Sequence, residues 1–302
     1  MLFALSRVSY TFPSHYAVTT VKPLFVRVPS GILLSLLTLV SACGPRDLVL
    51  VDPAPKSSGA DIPAAFLNGL VGYWRFDDGA GSTTAADASG NKNTGVLDMH
   101  SPATAWVPGR SGGAVGLYAT GWVRVADSTS INQISNQITL TAWVYFDGAI
   151  DKSMYGTAIS RQVGTTNGQH YHLALYLGQP HLFFVTTEGS VNLAASASQY
   201  TVPQRTWTHL AGTYDGSTAR LYVNGLELKN LTVPLTGAFA AETDPVIIGG
   251  NGNDATDVPT EIFPGALDEV MLYRRALSAN EIAEVADGVL FPKGTTDGGA
   301  TD

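Results

Sequence analysis

Residues 263–282 read FPGALDEVMLYRRALSANEI, and this stretch predicts a buried strand that leads into a short helix. Strand-forming residues follow Gly265 and continue to Tyr273. Ser278 can then cap a helix, and Glu281 stands three residues later, which is the spacing of a capping box. We therefore expect the strand to end near Tyr273 and the helical turn to begin after Ser278.

The same stretch resembles the closing strand of laminin-G-like jelly rolls in the concanavalin A-like lectin/glucanase superfamily, which usually reads G-x-[LI]-D-[ED]-V-x-[LIV]-[YW]-x-R-A-L-[ST]-x-x-E-I. Residues 70–77 (LVGYWRFD) and 86–95 (ADASGNKNTG) resemble the opening of the same family. The resemblance covers about residues 66–290. It implies an all-β fold, a two-sheet antiparallel jelly-roll sandwich of about a dozen strands with a short helical turn near the C-terminus. A fold of this kind leaves the function open.

Composition agrees with such a sandwich and limits the partners. The chain of 302 residues contains 32 glycines, which suits many short strands joined by turns, and only 14% charged residues. Its formal net charge of −8 argues against a nucleic-acid partner, because phosphate requires a basic surface. The single cysteine, Cys43, excludes a disulfide within the chain.

The N-terminal region has the pattern of an export signal. Residues 31–42 form a short apolar stretch that follows Lys22 and Arg27, so we interpret residues 1–42 as a signal peptide. Residues 1–30 are long for this purpose, as if the start were assigned too far upstream. The motif Val40-Ser41-Ala42-Cys43 resembles the bacterial lipobox, which implies lipidation of Cys43. The alternative is an ordinary secretory signal with an incidental cysteine.

Two further segments lack the pattern of a packed core. Residues 43–65 hold four prolines and predict a flexible tether between a lipid and the domain at 66–290. Residues 291–302 predict a disordered tail. We therefore expect an exported lipoprotein that meets the membrane through its lipid alone. Gly44 after the cysteine is compatible with the outer membrane, where the cell has one.

Side-chain alternation predicts which residues face a ligand. Neighbouring residues of a strand point to opposite faces, so the aliphatic sets at 140–144, 173–177 and 210–223 should fill the space between the sheets. The opposing aromatic and imidazole side chains would then lie on an outer face, where sugar rings stack. The predicted ligand-binding residues are Trp143, His172, Tyr176, His209 and Tyr222. The alternative is that loops or neighbouring strands cover these rings.

A structural calcium site is a second hypothesis. Calcium prefers six to eight oxygen ligands, and the loop containing Asp87, Asn91 and Asn93 supplies one carboxylate and two amides. Asp268 is a charged residue in a strand whose sequence indicates burial, and a buried carboxylate needs a partner. In similar jelly rolls these two segments lie side by side. The alternative places Asp87 in an Asx-turn and Asp268 against backbone N–H groups.

The acidic loop at 251–257 has three open interpretations: a ligand rim, a second calcium site or a solvated turn. For catalysis we found neither the E-x-D-x-x-E pattern of the superfamily's glucanases nor a nucleophile motif, and no catalytic residue is predicted. The sequence therefore predicts a non-catalytic surface lipoprotein that binds carbohydrate, either a polysaccharide or the glycan of a surface glycoprotein. A protein–protein adhesion module is the alternative, and a divergent polysaccharide-cleaving enzyme is a third interpretation.

Overall fold

The computed structural model describes residues 62–99, 105–118, 121–148, 155–163, 168–196, 198–252 and 258–290. The predicted signal peptide, Cys43, most of the tether and the C-terminal tail lie outside these residues. Residues 62–65, predicted as the end of the tether, belong to the folded domain, since α1 (Ala64–Leu67) begins there. No described helix has the length and apolar character needed to cross a membrane.

Seventeen strands and two α-helices are present among the described residues, more strands than the expected dozen because several have only two or three residues. The strands are β1 (Leu70–Trp74), β2 (Thr84–Ala85), β3 (Gly95–Met99), β4 (Trp106–Pro108), β5 (Gly113–Gly116), β6 (Gly121–Val125), β7 (Ile138–Phe146), β8 (Tyr155–Val163), β9 (Gly168–Tyr176), β10 (Gln179–Val185), β11 (Ser190–Ala194), β12 (Trp207–Tyr214), β13 (Thr218–Val223), β14 (Leu226–Glu227), β15 (Val233–Pro234), β16 (Val246–Ile248) and β17 (Gly265–Tyr273). Helix α2 spans Ala279–Ala286, and short 3-10 turns lie at Ile131–Gln133 and Lys229–Leu231.

The strands form two antiparallel sheets, which confirms the predicted jelly-roll sandwich. The first sheet has the order β14-β13-β12-β7-β17-β5-β4, with β1 added beside β17 and β15 beside β13. The second sheet has the order β11-β10-β9-β8-β16-β6-β3-β2. Strands that pair in space are often far apart in sequence, as β7 and β17 are, so long-range pairing holds the domain together.

The space between the sheets contains the aliphatic side chains that alternation placed there. Leu140, Ala142 and Val144 of β7 are fully buried in one cluster with Leu173 and Leu175 of β9. Leu177, which we expected in the same row, is 51% exposed. Its strand ends at Tyr176, and Leu177 takes a positive φ of 52° in the following turn.

Strand β17 lies in the middle of the first sheet and organises its outer face. It pairs with β7 along its length, with β5 at its start and with β1 at its end. The register shifts between Asp268 and Met271, where Glu269 has a φ of 49°, so the strand bulges there. Helix α2 follows with the predicted capping box between Ser278 and Glu281.

A second apolar cluster lies outside the first sheet, between that sheet, α2 and the segment before β1. Burial of this cluster fixes both ends of the domain to the same corner. Arg275 Nε donates to the Asn68 carbonyl at 2.7 Å, and its guanidinium also holds Glu281. The cluster consists of Phe66, Leu70, Tyr73, Ala211, Tyr222, Met271, Tyr273, Leu277, Ile282, Val285 and Leu290.

Candidate ligand-binding site

Two histidines and two tyrosines meet on the outer face of the second sheet, and we call them the tyrosine–histidine cluster: Tyr155, His172, Tyr176 and His181. Tyr155 and Tyr176 are cross-strand partners in β8 and β9, with ring centroids 4.8 Å apart. The Tyr155 ring also contacts the His181 ring at 5.2 Å and the His172 ring at 5.8 Å. Both tyrosines are half-buried, whereas both histidines are fully covered, so the tyrosines form the accessible surface of the cluster.

The loop between β16 and β17 is fastened to this cluster through Glu261. Glu261 Oε2 accepts from Thr157 Oγ1 at 3.1 Å and from Asn251 Nδ2 at 3.1 Å, and it lies 3.4 Å from His172 Nε2. The backbone adds a fourth contact, since Thr157 N–H donates to the Glu261 carbonyl at 2.9 Å. Asn251 and Glu261, which flank residues 253–257 outside the described part of the chain, are therefore held together by a hydrogen bond.

Hydrogen bonding assigns the proton of His172. Thr157 has one hydroxyl proton, which it donates to Glu261, so the same oxygen accepts the 2.6 Å bond from His172 Nε2–H. Burial lowers the pKa of His172 well below its ordinary value, and the nearby His181 adds to this effect. The ring is therefore neutral at pH 7 and acts as a donor. A base that activated the Thr157 hydroxyl would have to accept from it instead.

His181 is held in a similar way on the neighbouring strand. Its Nε2 lies 2.9 Å from the side-chain oxygen of Asn192 in β11. Burial lowers the pKa of His181 to about 4, although the bond to Asn192 opposes the shift. Two neutral imidazoles packed edge to face, with centroids 5.4 Å apart, thus lie beneath the half-buried tyrosines.

A groove of about 440 Å³ lies at the end of the sandwich beside this cluster. Turns from both sheets form it, and two glycines are required by the geometry. Gly148 has a φ of 95°, and a Cβ there would meet the Gln204 side chain at 2.5 Å; Gly178 has a φ of 82°. Gly178 follows Tyr176 by two residues, so the groove and the tyrosines are neighbours. The lining residues are Phe146, Gly148, Leu177, Gly178, Thr201, Val202, Pro203 and Gln204.

The structure separates the five predicted ligand-binding residues into two groups. His172 and Tyr176 lie together in the tyrosine–histidine cluster of the second sheet. Trp143, His209 and Tyr222 lie outside the first sheet and are 6%, 0% and 2% exposed, so the expectation of an open aromatic face was wrong for these three.

Other parts of the chain cover the three buried rings. The Arg110 guanidinium lies 4.6 Å from the Trp143 ring centroid, and His209 packs against the same ring at 5.5 Å. Tyr222 belongs to the apolar cluster under α2. Burial lowers the pKa of His209 to about 3, so this ring is neutral as well. On the first sheet, therefore, other parts of the chain cover the aromatic rings, as the alternative interpretation expected.

The residues predicted for calcium are engaged in hydrogen bonds within the domain. The Asp87 carboxylate accepts from the N–H groups of Tyr73, Ser89 and Asn93, at 2.8–3.0 Å, and from the Ser89 hydroxyl at 2.8 Å. Asn91 Nδ2 donates to the Leu70 and Val71 carbonyls. Asn93 Nδ2 donates to Val71 and Ser130. The loop is thus tied to β1 by its own polar groups.

Asp268 has a separate environment. Its two carboxyl oxygens accept from the N–H groups of Ser111 and Glu269 at 3.0 and 2.8 Å. Burial raises the pKa of Asp268 and of Glu269, and neighbouring carboxylates add to the rise. Among the described residues, Asp87 and Asp268 share no hydrogen-bond partner, and no group of three or more His, Cys, Asp or Glu side chains is arranged to hold a metal ion. These contacts fit the hydrogen-bonded alternative, and calcium stays a prediction.

The fold and sequence together identify the class of protein. The chain belongs to the Laminin_G_3 family of the concanavalin A-like lectin/glucanases superfamily, whose sequence profile matches residues 117–283, more than half of the chain. No curated protein sequence matches it.

Solved structures with the same fold come from carbohydrate-related enzymes and toxins. Domain 4 of AbnA, an extracellular arabinanase from Geobacillus stearothermophilus solved with arabinotriose, matches with a TM-score of 0.54 and 21% identity, over 72% of this chain and 98% of that one. The binding domain of Paraclostridial Mosquitocidal Protein 1 matches with a TM-score of 0.55 and 18% identity, over 74% of this chain and 53% of that one. A Trypanosoma rangeli sialidase mutant displaying trans-sialidase activity matches with a TM-score of 0.54 and 16% identity, over 78% of this chain and 35% of that one. The chain spans about half of the toxin domain and about a third of the sialidase, and at these identities the likeness shows the fold alone.

Proposed function

We propose that this domain binds carbohydrate, without cleaving it, at the tyrosine–histidine cluster and the adjacent groove. The observation that carries the proposal is the half-buried pair of Tyr155 and Tyr176, which packs on two fully covered histidines and lies beside the groove. Aromatic faces of this kind stack against the apolar C–H faces of sugar rings, and nearby polar groups bind the hydroxyls.

Exposed polar side chains around the tyrosines can form hydrogen bonds with sugar hydroxyls. Asn192 is exposed next to His181, and the groove presents the exposed side chains of Thr201 and Gln204. The arabinotriose in the structure of AbnA domain 4 shows that a domain of this fold accompanies an oligosaccharide in that protein. The size of the groove lies within the range of about 300–1,000 Å³ that is usual for small-molecule sites.

Binding without turnover is part of this proposal, and the hydrogen bonds and ion pairs of the nearby carboxylates support it. Retaining glycosidases place two carboxyl groups about 5 Å apart on either side of the bond that they cleave. Here Glu261 holds Thr157 and Asn251, and Asp147 at the groove forms an ion pair with Arg205 at 2.7 Å. Each carboxylate thus has protein partners, and Asp147 remains 38% exposed. We propose that the domain releases no reducing sugar from the polysaccharides that it binds.

A glycan array probed with the soluble domain, residues 62–290, tests the binding proposal. We expect retention on oligosaccharide spots and a loss of about tenfold or more in affinity for Tyr155→Ala and Tyr176→Ala. Trp122→Ala is the matched control, because Trp122 is a half-buried aromatic residue of β6 on the same sheet, and it should bind as the parent does. An array without any bound glycan would overturn the proposal and favour a protein partner, such as the polypeptide of a surface glycoprotein.

We also propose that the domain is displayed by a lipid on Cys43. The support is the sequence pattern around this residue, which precedes the described part of the chain. Cys43→Ser in the full chain should abolish incorporation of a labelled fatty acid and release the protein from the membrane fraction. Retention of the variant in carbonate-washed membranes would show that another anchor is used.

A further inference from the structure

A second aromatic pair stands at the same end of the sandwich, on the first sheet. Tyr145 of β7 and Trp207 of β12 are cross-strand partners with ring centroids 5.5 Å apart, and both are half-buried. Tyr145 precedes Phe146, which lines the groove, and Trp207 follows the groove-lining residue Gln204 by three positions. The groove therefore lies between this pair and the pair of Tyr155 and Tyr176 on the second sheet.

Two charged side chains lie at the rim of the groove, next to the pair of Tyr145 and Trp207. Asp147 stands between the lining residues Phe146 and Gly148, and its carboxylate accepts from Arg205 Nε at 2.7 Å. The Arg205 backbone N–H also donates to the Phe146 carbonyl at 2.7 Å, so the rim has a fixed backbone. The side chains of Arg205 and Asp147 are 70% and 38% exposed, so their remaining donors and acceptors face solvent.

Tyr118 adds a third ring on this side. It is 44% exposed, and its N–H donates to the Gly265 carbonyl at 3.0 Å, opposite Phe146 in the β7–β17 pairing. Burial raises the pKa of its hydroxyl, and Tyr145 and Asp147 add to the rise.

We propose that the ligand is a neutral oligosaccharide chain that crosses the end of the sandwich, with one sugar unit on Tyr155 and Tyr176 and a later unit on Tyr145 and Trp207. This inference rests on the proposed carbohydrate binding and specifies the class of ligand. The two aromatic pairs belong to different sheets, and packed sheets lie about 10 Å apart, so one sugar ring cannot cover both. The groove holds the units between them.

Charge favours a neutral chain over an acidic one. Asp147 and Arg205 neutralise each other at the rim, where each can still bind sugar hydroxyls. The formal net charge of the chain is −8, which disfavours a polyanion such as a uronic acid polymer. A neutral polysaccharide has none of this repulsion.

The test measures affinity against chain length by calorimetric titration. The probes are linear arabino-, xylo- and gluco-oligosaccharides of one to six units, together with oligogalacturonates of the same lengths. For the parent domain we expect affinity to rise with length in a neutral series and to stay weaker for the galacturonates. Trp207→Ala should lower the affinity for the six-unit probe by about tenfold and leave the one- and two-unit probes unchanged. Trp207→Phe should restore most of the loss.

The outcomes separate this inference from the proposed function. Short probes that bind the parent, lose affinity in Tyr176→Ala and gain nothing with length would leave the proposed function standing and overturn the extended ligand. The extended ligand is also overturned if Trp207→Ala binds the six-unit probe like the parent. Tighter binding of galacturonates would overturn the neutral ligand. If no probe binds the folded parent, both proposals fall. Thermal melting of each variant identifies one that has not folded, and Tyr145→Ala, which removes the other ring of the same pair, then carries the comparison with the same expected loss.

Discussion

The side chain of Glu261 accepts a hydrogen bond from the Thr157 hydroxyl at 3.1 Å, across 104 positions of the sequence. This contact fastens the loop before β17 to the outer face of the second sheet, directly behind the rings of the tyrosine–histidine cluster. His172 and Asn251 converge on the same carboxylate. These polar contacts fix the residues that lie against the tyrosines. The binding surface therefore keeps its shape before the ligand arrives, and this lowers the entropic cost of binding.

We expect Glu261→Gln to destabilise the domain by about 1–3 kcal/mol, because the amide replaces a charged acceptor that serves two donors. Urea unfolding measures the change. Glu188→Gln is the control, since Glu188 is exposed in the turn between β10 and β11 and the substitution removes the same charge. Equal losses in the two variants would contradict a specific role for Glu261.

Tyr222→Ala should be a stability variant rather than a binding variant. The ring is 2% exposed and packs with Ile282 and Val285 of α2, and removal of a buried aromatic ring typically costs about 3–5 kcal/mol. We expect a large loss in urea unfolding and unchanged retention on the glycan array at a temperature where the variant is folded. Tyr222→Phe keeps the ring and should lose much less. A Tyr222→Ala variant as stable as the parent would show that α2 does not cover this position.

The sequence predicted the directions of side chains better than their surroundings. Alternation placed Leu140, Ala142 and Val144 inward correctly, since a strand with period two and one apolar face has only one way to lie on a core. It also placed Tyr222 outward, but which element covers an outer face depends on residues far away in the sequence, here those of α2. The helix itself was predicted from Ser278 and Glu281, because a capping box is a local signal.

The candidate site was partly visible in the sequence. Tyr176 and His172 were found because they alternate with leucines in one strand. His181 has the same relation to Leu182 and Phe184, which are buried in the core, so the same pattern would have placed it outward. Glu261 and Thr157 gave no such signal. Their partnership depends on the path of a loop over the sheet, and no local rule specifies that path.

Buried histidines should make the domain sensitive to acid. Burial lowers the pKa of His209 from an ordinary value near 6.5 to about 3, so in the window between these values the unfolded chain binds more protons than the native one. Stability is therefore present above about pH 6.5 and falls as the pH drops through this window. His181 and His170, each lowered to about 4, act in the same direction. The raised pKa values of Asp268 and Glu269 act oppositely and are common to parent and variant.

His209→Phe isolates one of these contributions. Neither ring nitrogen of His209 has a hydrogen-bond partner among the described residues, so phenylalanine replaces it without a lost bond. The slope of unfolding free energy against pH between about 4 and 6 should decrease by up to about 1.4 kcal/mol per pH unit. Urea unfolding at a series of pH values provides the slope. Identical slopes for parent and variant would show that His209 titrates in the native protein as it does when unfolded.

If calcium occupies the predicted site at Asp87, Asn91, Asn93 and Asp268, removal of divalent metals should lower the melting temperature of the parent domain, and added calcium should restore it. Calorimetric scans with and without EDTA test this expectation. Asp87→Ala should lower the stability by roughly 2–4 kcal/mol in both conditions, since buried donors lose their acceptor. A parent transition that is unchanged in EDTA would show instead that hydrogen bonds alone hold Asp87 and Asp268.

The two ends of strand β17 lie at opposite ends of the described domain. Its Tyr273 end lies at the corner where Arg275 holds Asn68, so the chain enters and leaves the domain there. Its Gly265 end lies opposite Phe146 at the groove, about 27 Å away at a rise of about 3.4 Å per residue. The two proposals together place attachment near one end of the described domain and recognition near the other. A domain held at that corner presents its groove on the far side.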